Sequence, residues 1–180
     1  MSDAQKHYRA FLEAIGFAGD DELVETPEKV AEFMQSFAPG KPPPSIALLP
    51  TKSNTPILLQ DLPFHSLCAH HLVPFFGHAK IAYLPNERIA GFGCLVKALH
   101  HFARQPQLQE RLGEQLANHL LDALEAKAVF IELSSRQMCM EMRGVQSTGQ
   151  VRTFHRAYRN SDTDAASQAD MRLLETLVYG

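Results

Sequence analysis

Phe64-His65-Ser66-Leu67-Cys68-Ala69-His70-His71-Leu72-Val73-Pro74-Phe75-Phe76-Gly77 places one thiol and two adjacent imidazoles inside an otherwise apolar segment. Metal coordination accounts for that combination. Zinc takes thiolate sulfur and imidazole nitrogen, and a catalytic site uses three protein ligands so that a fourth position stays open. Cys68, His70 and His71 supply two such ligands, and Cys139 is the candidate for the third. Which histidine joins Cys68 depends on local geometry: in a tight turn or helix positions 68 and 71 face the same side, whereas in a strand 68 and 70 do.

Outward from this stretch, the chain changes character on either side. Upstream, Tyr8, Phe11, Leu12 and Ile15 recur at helical spacing over residues 4 to 15, and Gly16 ends the run. A second helix is expected from Thr26-Pro27, with Thr26 as N-cap and Pro27 at the first helical position, burying Val30, Phe33, Met34 and Phe37. Pro39-Gly40 should stop it, and Lys41-Pro42-Pro43-Pro44 reads as an extended connector. Residues 1–45 therefore form an N-terminal helical arm, and residues 46–180 the main domain.

Downstream, His78 to Leu84 and Arg88 to Gly91 read as two antiparallel strands joined at Pro85-Asn86-Glu87. Leu95, Leu99 and Phe102 mark a helix over 94–104. Pro106 interrupts before a longer helix, 107–126, whose Leu108, Leu112, Leu116, Leu120 and Leu124 recur every fourth residue. Ala128 to Leu133 reads as a buried strand, Met138 to Met142 as a strand pairing beside it, Val151 to Arg159 as another, and Asp164 to Val178 as a closing helix. Strands separated by paired helices define an α+β domain, its helices on one face of an antiparallel sheet.

Composition limits the function classes. A chain of 180 residues, 45% hydrophobic and 21% charged, suits one globular domain rather than a disordered chain. No apolar run reaches bilayer length, and Met1 to Lys6 carries no basic-then-apolar leader, so no membrane partner and a cytoplasmic location are expected. Three cysteines argue for metal or thiol chemistry over a disulfide framework. A net charge of −3 provides no nucleic-acid footprint. Arg152, Arg156 and Arg159 could line an anion pocket, although a solvated strand face accounts for their spacing better.

Ser66 to Gly77, Gln109-Glu110-Arg111-Leu112 and Cys139-Met140-Glu141-Met142-Arg143-Gly144-Val145, with a weaker match from Glu25 to Ala31, together resemble the GTP cyclohydrolase I family. The resemblance keeps order and spacing across nearly the whole chain. It implies a tunnelling-fold (T-fold) domain, an antiparallel four-stranded sheet backed by two helices, assembled into a homo-oligomeric ring, typically a decamer, with active sites between subunits. It also implies a zinc enzyme that opens the imidazole ring of GTP, releases formate and forms 7,8-dihydroneopterin triphosphate, a precursor of folate and related pterins.

By that resemblance Cys68, His71 and Cys139 are the Zn2+ ligands, and His70 is the catalytic histidine that protonates the purine nitrogen next to C8. Glu110 matches the guanine-recognising carboxylate, Gln109 the residue that helps to hold the base, and Arg143 an arginine suited to an anionic partner. Departures fall around the same site. Ala69 replaces a glutamate, and Gly93, Cys94 and Lys97 stand where the family carries serine, lysine and arginine. Lys97, His100 or His101 would have to take over phosphate binding. Gln137 replaces the histidine that assists sugar opening, and an amide neither supplies nor accepts a proton near neutral pH. Two other readings follow: a paralogue using the same ring opening on a guanine-like or pterin-like compound without a triphosphate, and a non-catalytic purine- or zinc-binding regulator.

Overall fold

The computed structural model describes residues 2–38, 40, 42–159 and 165–179. The chain divides into two compact units, Met1–Gly40 and Lys41–Gly180. In the first, helix α1 (Asp3–Ala14) starts from a capping box, in which Ser2 Oγ accepts from Gln5 N while the Gln5 side chain accepts from Ser2 N. Helix α2 (Thr26–Gln35) differs from expectation at its start. Glu25, not Thr26, is the N-cap, because the Glu25 carbonyl already accepts from Lys29 N at 3.2 Å, and Pro27 sits in the first turn without a side-chain cap. The helix ends at Gln35; the expected stop at Pro39 and the connector residue Lys41 lie outside the described residues.

The second unit carries the sheet. Strands β1 (Leu48–Pro50), β2 (Ile57–Cys68), β3 (Pro74–Leu84) and β4 (Arg88–Ala90) precede helix α3 (Phe92–Ala103). Then come β5 (Pro106–Gln107), α4 (Gln109–Ala123), β6 (Ala128–Gln137), the short helix α5 (Met138–Glu141), β7 (Gln150–Tyr158) and α6 (Ala165–Tyr179). The order β5-β2-β3-β6-β7 makes a mixed five-stranded sheet. Its four long strands are antiparallel, as expected, but β5 adds a fifth, parallel to the end of β2 through Leu67↔Pro106 and Cys68↔Gln107. The purely antiparallel four-stranded sheet is corrected accordingly. The leucine-rich helix correspondingly begins at Gln109, since Pro106 and Gln107 are spent on that pairing.

Two further expectations change. β3 and β4 do not pair with each other: both edges of β3 are taken by β2 and β6, so β4 turns away and pairs with β1. Met138 to Met142 is a helical turn, closed by Met142 N donating to Met138 O at 2.9 Å. The closing helix is described from Ala165, its expected first residue Asp164 lying outside the described residues.

Strand alternation sends successive side chains to opposite faces. Ala79, Ile81 and Tyr83 of β3 and Val129, Ile131 and Leu133 of β6 face α3 and α4, whose Leu95, Leu99, Leu112, Leu116 and Leu120 are fully buried. Each such leucine contributes about 1.5–3 kcal/mol of burial. On the opposite face Ala82, Leu84, Ala128 and Phe130 are covered by Met171, Leu174 and Val178 of α6. Beyond that cover Glu132 lies buried, held by Arg152 Nε at 2.7 Å and Lys80 Nζ at 3.5 Å. Arg156 pairs with Glu175 and Arg159 bonds the Ala126 and Leu121 carbonyls, so these three arginines serve packing. No helix among the described residues is long and apolar enough to cross a membrane.

Candidate functional site

The opening motif straddles the end of β2. Leu67 and Cys68 are the last strand residues, and the chain then turns: His71 N and Leu72 N both donate to Cys68 O, at 3.3 and 2.8 Å, and Leu72 takes a left-handed φ of 54°. A turn places positions 68 and 71 on one side, which resolves the ambiguity left by spacing. His71 Nδ1 lies 3.6 Å from Cys68 Sγ. The helical turn after β6 brings in the third member, and the donor atoms of Cys68, His71 and Cys139 all lie within 4.8 Å of one another. Two soft sulfurs and one imidazole nitrogen form a set that could coordinate a metal ion.

Electrostatics favours a cation there. Burial pushes the Cys139 thiol up, and the adjacent Cys68 pushes it further the same way. Two neighbouring thiolates are therefore costly without a positive charge between them. Cys68 is buried, Cys139 half-buried and His71 exposed, which leaves an open side. Arg143 Nη1 lies 2.7 Å from His71 Nε2, so Nδ1 is the nitrogen on the cysteine side.

His70 turns away from this set, its ring 6.0 Å from that of His71 at 73°, and lines a cleft of about 340 Å³. Cys68, Cys139, Glu110, Gln109 and Gln137 line the same cleft, with Phe75, Leu108, Met140 and Val151 as its apolar walls. Residues from β2, the α4 start, the β6 end and β7 thus meet at one end of the sheet. Glu110 is exposed in the first turn of α4, where its charge also suits the helix dipole. Lys97 is not brought there; it lies exposed on α3 and does not line the cleft. His100 bonds the Pro63 carbonyl at 3.1 Å, and His101 packs edge-on against Phe102.

Gln109 behaves differently from a base-contacting side chain. It is 4% exposed, and its Nε2 donates to Leu133 O, Val151 O and Thr153 Oγ1 at 3.0–3.2 Å. Its Oε1 accepts from Ser135 Oγ at 2.6 Å and from Gln137 Nε2 at 2.8 Å. Every polar atom of the side chain is engaged, and it pins the first residue of α4 to β6 and β7. Sequence reading missed Ser135 and Thr153 as members of this cluster. The one available signal was period-two spacing, which puts Leu133, Ser135 and Gln137 on the same strand face.

An α+β domain whose Cys-His-Cys set could hold a metal ion beside such a cleft is consistent with the class of proteins that have a metal-binding active site. The model of the family described as GTP cyclohydrolase I matches residues 4–175. GTP cyclohydrolase 1 of Aquifex aeolicus is 43% identical over 144 residues, covering 78% of each chain. That of Streptococcus agalactiae serotype Ia is 40% identical over 151 residues, 81% of each chain. That of Geobacillus kaustophilus is 39% identical over 170 residues, 91% of this chain and 90% of the other. The chain belongs to the GTP cyclohydrolase I family.

Proposed function

We propose that the chain is a zinc-dependent hydrolase that opens the imidazole ring of GTP, giving formate and 7,8-dihydroneopterin triphosphate. The observation that carries this is the convergence of Cys68, His71 and Cys139 within 4.8 Å at a cleft also lined by His70 and Glu110. Family membership supports a reaction of this kind. One of the three donor separations matches zinc geometry, and Arg143 would have to release His71 Nε2 for Nδ1 to give up its proton to the metal. With Zn–S about 2.3 Å and Zn–N about 2.0–2.1 Å at tetrahedral angles, sulfur and nitrogen should be about 3.6 Å apart, and Cys68 Sγ and His71 Nδ1 are separated by 3.6 Å. When bound, the zinc ion supplies Lewis acidity for hydrolysis at a ring carbon.

The protein's own groups do the rest. Glu110 presents two acceptor oxygens, matching the N1 hydrogen and exocyclic amine of guanine and rejecting adenine, which lacks that donor pair. Phe75, Leu108 and Met140 offer apolar walls to a flat base and limit water in the cleft. His70, beside the metal ligands, donates a proton to the ring nitrogen whose bond to the carbon is to break. Arg143 carries a permanent charge for an anionic group of the substrate. The same reading makes the chain a cytoplasmic homo-oligomer, a decamer by family resemblance. Among the described residues, β7 is an edge strand and Ile57–Ser66 of β2 has one unpaired edge, which suits strand pairing between copies.

A second reading, ring opening of a guanine-like compound without a triphosphate, is favoured by the cleft lining, which includes Glu110 but no lysine or arginine. Incubating zinc-loaded protein with GTP, GMP and guanosine, then separating products, decides. Formate with dihydroneopterin triphosphate from GTP supports the first reading. Turnover of guanosine or GMP alone supports the second, and zinc binding without any turnover overturns both.

A further inference from the structure

The turn that carries Cys139 has little to hold it by itself. Helix α5 is four residues long, has no side-chain cap at Gln137, and is closed by Met142 N donating to Met138 O at 2.9 Å. A single turn fixes several dihedrals for one hydrogen bond, which is unfavourable in isolation. Cys139 nevertheless keeps its sulfur within 4.8 Å of the donor atoms of Cys68 and His71. A second tie spans it, from residue 136 to residue 141. Arg136 Nε donates to Glu141 Oε1 at 3.0 Å, and Arg136 Nη2 donates to Glu141 Oε2. Such a two-point contact fixes orientation as well as distance. Arg136 is itself anchored in the sheet, opposite Phe76 of β3 and Gln150 of β7, with its guanidinium carbon 5.8 Å from the centre of the Phe76 ring. Strand alternation puts Arg136 on the sheet face away from Ser135 and Gln137, and neither member of the pair lines the cleft. The pair therefore reaches the site only through Cys139.

We infer that the Arg136–Glu141 pair is a clamp that holds the α5 turn against the sheet and so presents Cys139 to the metal. Arg136 and Glu141 are thus positioning residues for metal retention. This rests on the metal-site part of the functional reading above and deepens it. Cys68 is the last residue of a long, paired strand, whereas Cys139 stands on a single turn, so Cys139 is the ligand whose placement needs outside support. The Glu141 side chain is 7% exposed and that of Arg136 52%. An ion pair with one member in solvent contributes little to stability. Its effect is on where the Cys139 sulfur sits, not on whether the chain folds. Without the clamp the turn frays, and Cys139 is the ligand that lets go.

Two measurements test the clamp. The first is zinc affinity, by competition with a chromophoric chelator, together with the absorption spectrum of the Co2+-loaded protein, for wild type, Arg136→Gln, Glu141→Gln and the double variant. Each single variant should bind zinc about tenfold more weakly and show weaker thiolate-to-cobalt absorption. The double variant should lose no more than the weaker single one, because all three remove the same contact. Unchanged affinity and spectrum, or losses that multiply in the double variant, overturn the clamp. Arg136→Lys keeps the charge without the fork and should bind zinc as weakly as Arg136→Gln; wild-type affinity in that variant would refute a clamp that works by orientation. The second measurement is hydrogen exchange of the Met142 amide in metal-free protein. Exchange should be several-fold faster in Glu141→Gln than in wild type, while the Ile131 amide in the middle of β6 is unaffected, which separates fraying of the turn from loss of the fold. Equal exchange at Met142 refutes the clamp. If wild type binds neither zinc nor cobalt, it is the metal-site reading that fails, and exchange at Met142 still decides whether the pair holds the turn.

Discussion

At the scale of single residues, the site depends on atoms with few alternatives. Cys139 sits on a turn where burial and Cys68 both oppose its ionisation, so a bound cation is what would hold the pair as thiolates. Cys139→Ala should therefore lower zinc affinity by at least a hundredfold, read by competition with a chromophoric chelator, while the metal-free melting temperature stays within a few degrees of wild type. Retention of zinc with ordinary affinity would show that the metal lies elsewhere. Glu110 and Gln109 are adjacent in sequence and opposite in role. Glu110 is exposed at the cleft with its carboxylate available, whereas Gln109 is buried with its amide saturated by five partners. Residue type and resemblance pointed to both as substrate groups. Only the burial of the α4 start against β6 and β7 separates them.

At the scale of elements, two close approaches set where the strands and helices can lie. A Cβ at Gly77 of β3 would overlap the Ser134 carbonyl and Ser135 Cα of β6, so that end of the sheet closes only over glycine. Gly113 of α4 likewise admits the His155 ring of β7. Gly77→Ala should cost about 1–3 kcal/mol, because the obstacle is backbone and cannot rotate away. Urea unfolding would show the midpoint falling with an unchanged slope, and an unchanged midpoint would mean that the strands can part without penalty. The strands β3, β6 and β7 were legible from runs of β-forming residues, β6 as a continuous buried run and β7 by alternation, whereas β2 was not read as a strand. The Met138 to Met142 segment was not legible, since five residues of mixed character fit a strand or a helical turn equally well. What decides it is the need to leave β6: Arg136, the penultimate residue of that strand, is ion-paired with Glu141 across the turn.

At the scale of the whole molecule, two half-buried histidines, each with a buried Nε2, make stability depend on pH. Burial lowers His119, with His101 pushing the same way and Asp122 opposing, and burial lowers His155 against the opposing pull of Glu110 and Glu114. Neither Nε2 has a hydrogen-bond partner among the described residues. The unfolded chain, with histidines near their ordinary value of about 6.5, binds protons before the folded one does. The stabilisation is thus complete above about pH 6.5 and is lost as pH falls through the lowered folded values. Melting temperature should be level from pH 8 to about 7 and decline toward pH 5.5, with His119→Gln shallower than wild type. A profile flat to pH 5.5 would contradict the partial burial that disfavours the charged form of both rings.

Taken alone, the sequence determined the α+β class, three of the four long strands, the leucine face of α4 and the identity of the metal-ligating types, because periodicity and donor chemistry are local properties of the chain. Tertiary structure decided the rest. It chose His71 over His70 beside Cys68, since only the turn after β2 aligns positions 68 and 71. It moved β4 out of the main sheet and added β5 to it. It also turned Gln109 inward onto carbonyls 24 and 42 residues away, on β6 and β7, and oriented Gln137 through Gln109, 28 residues away. Those outcomes depend on which polar atoms long-range packing brings within hydrogen-bonding distance, and no local pattern encodes that.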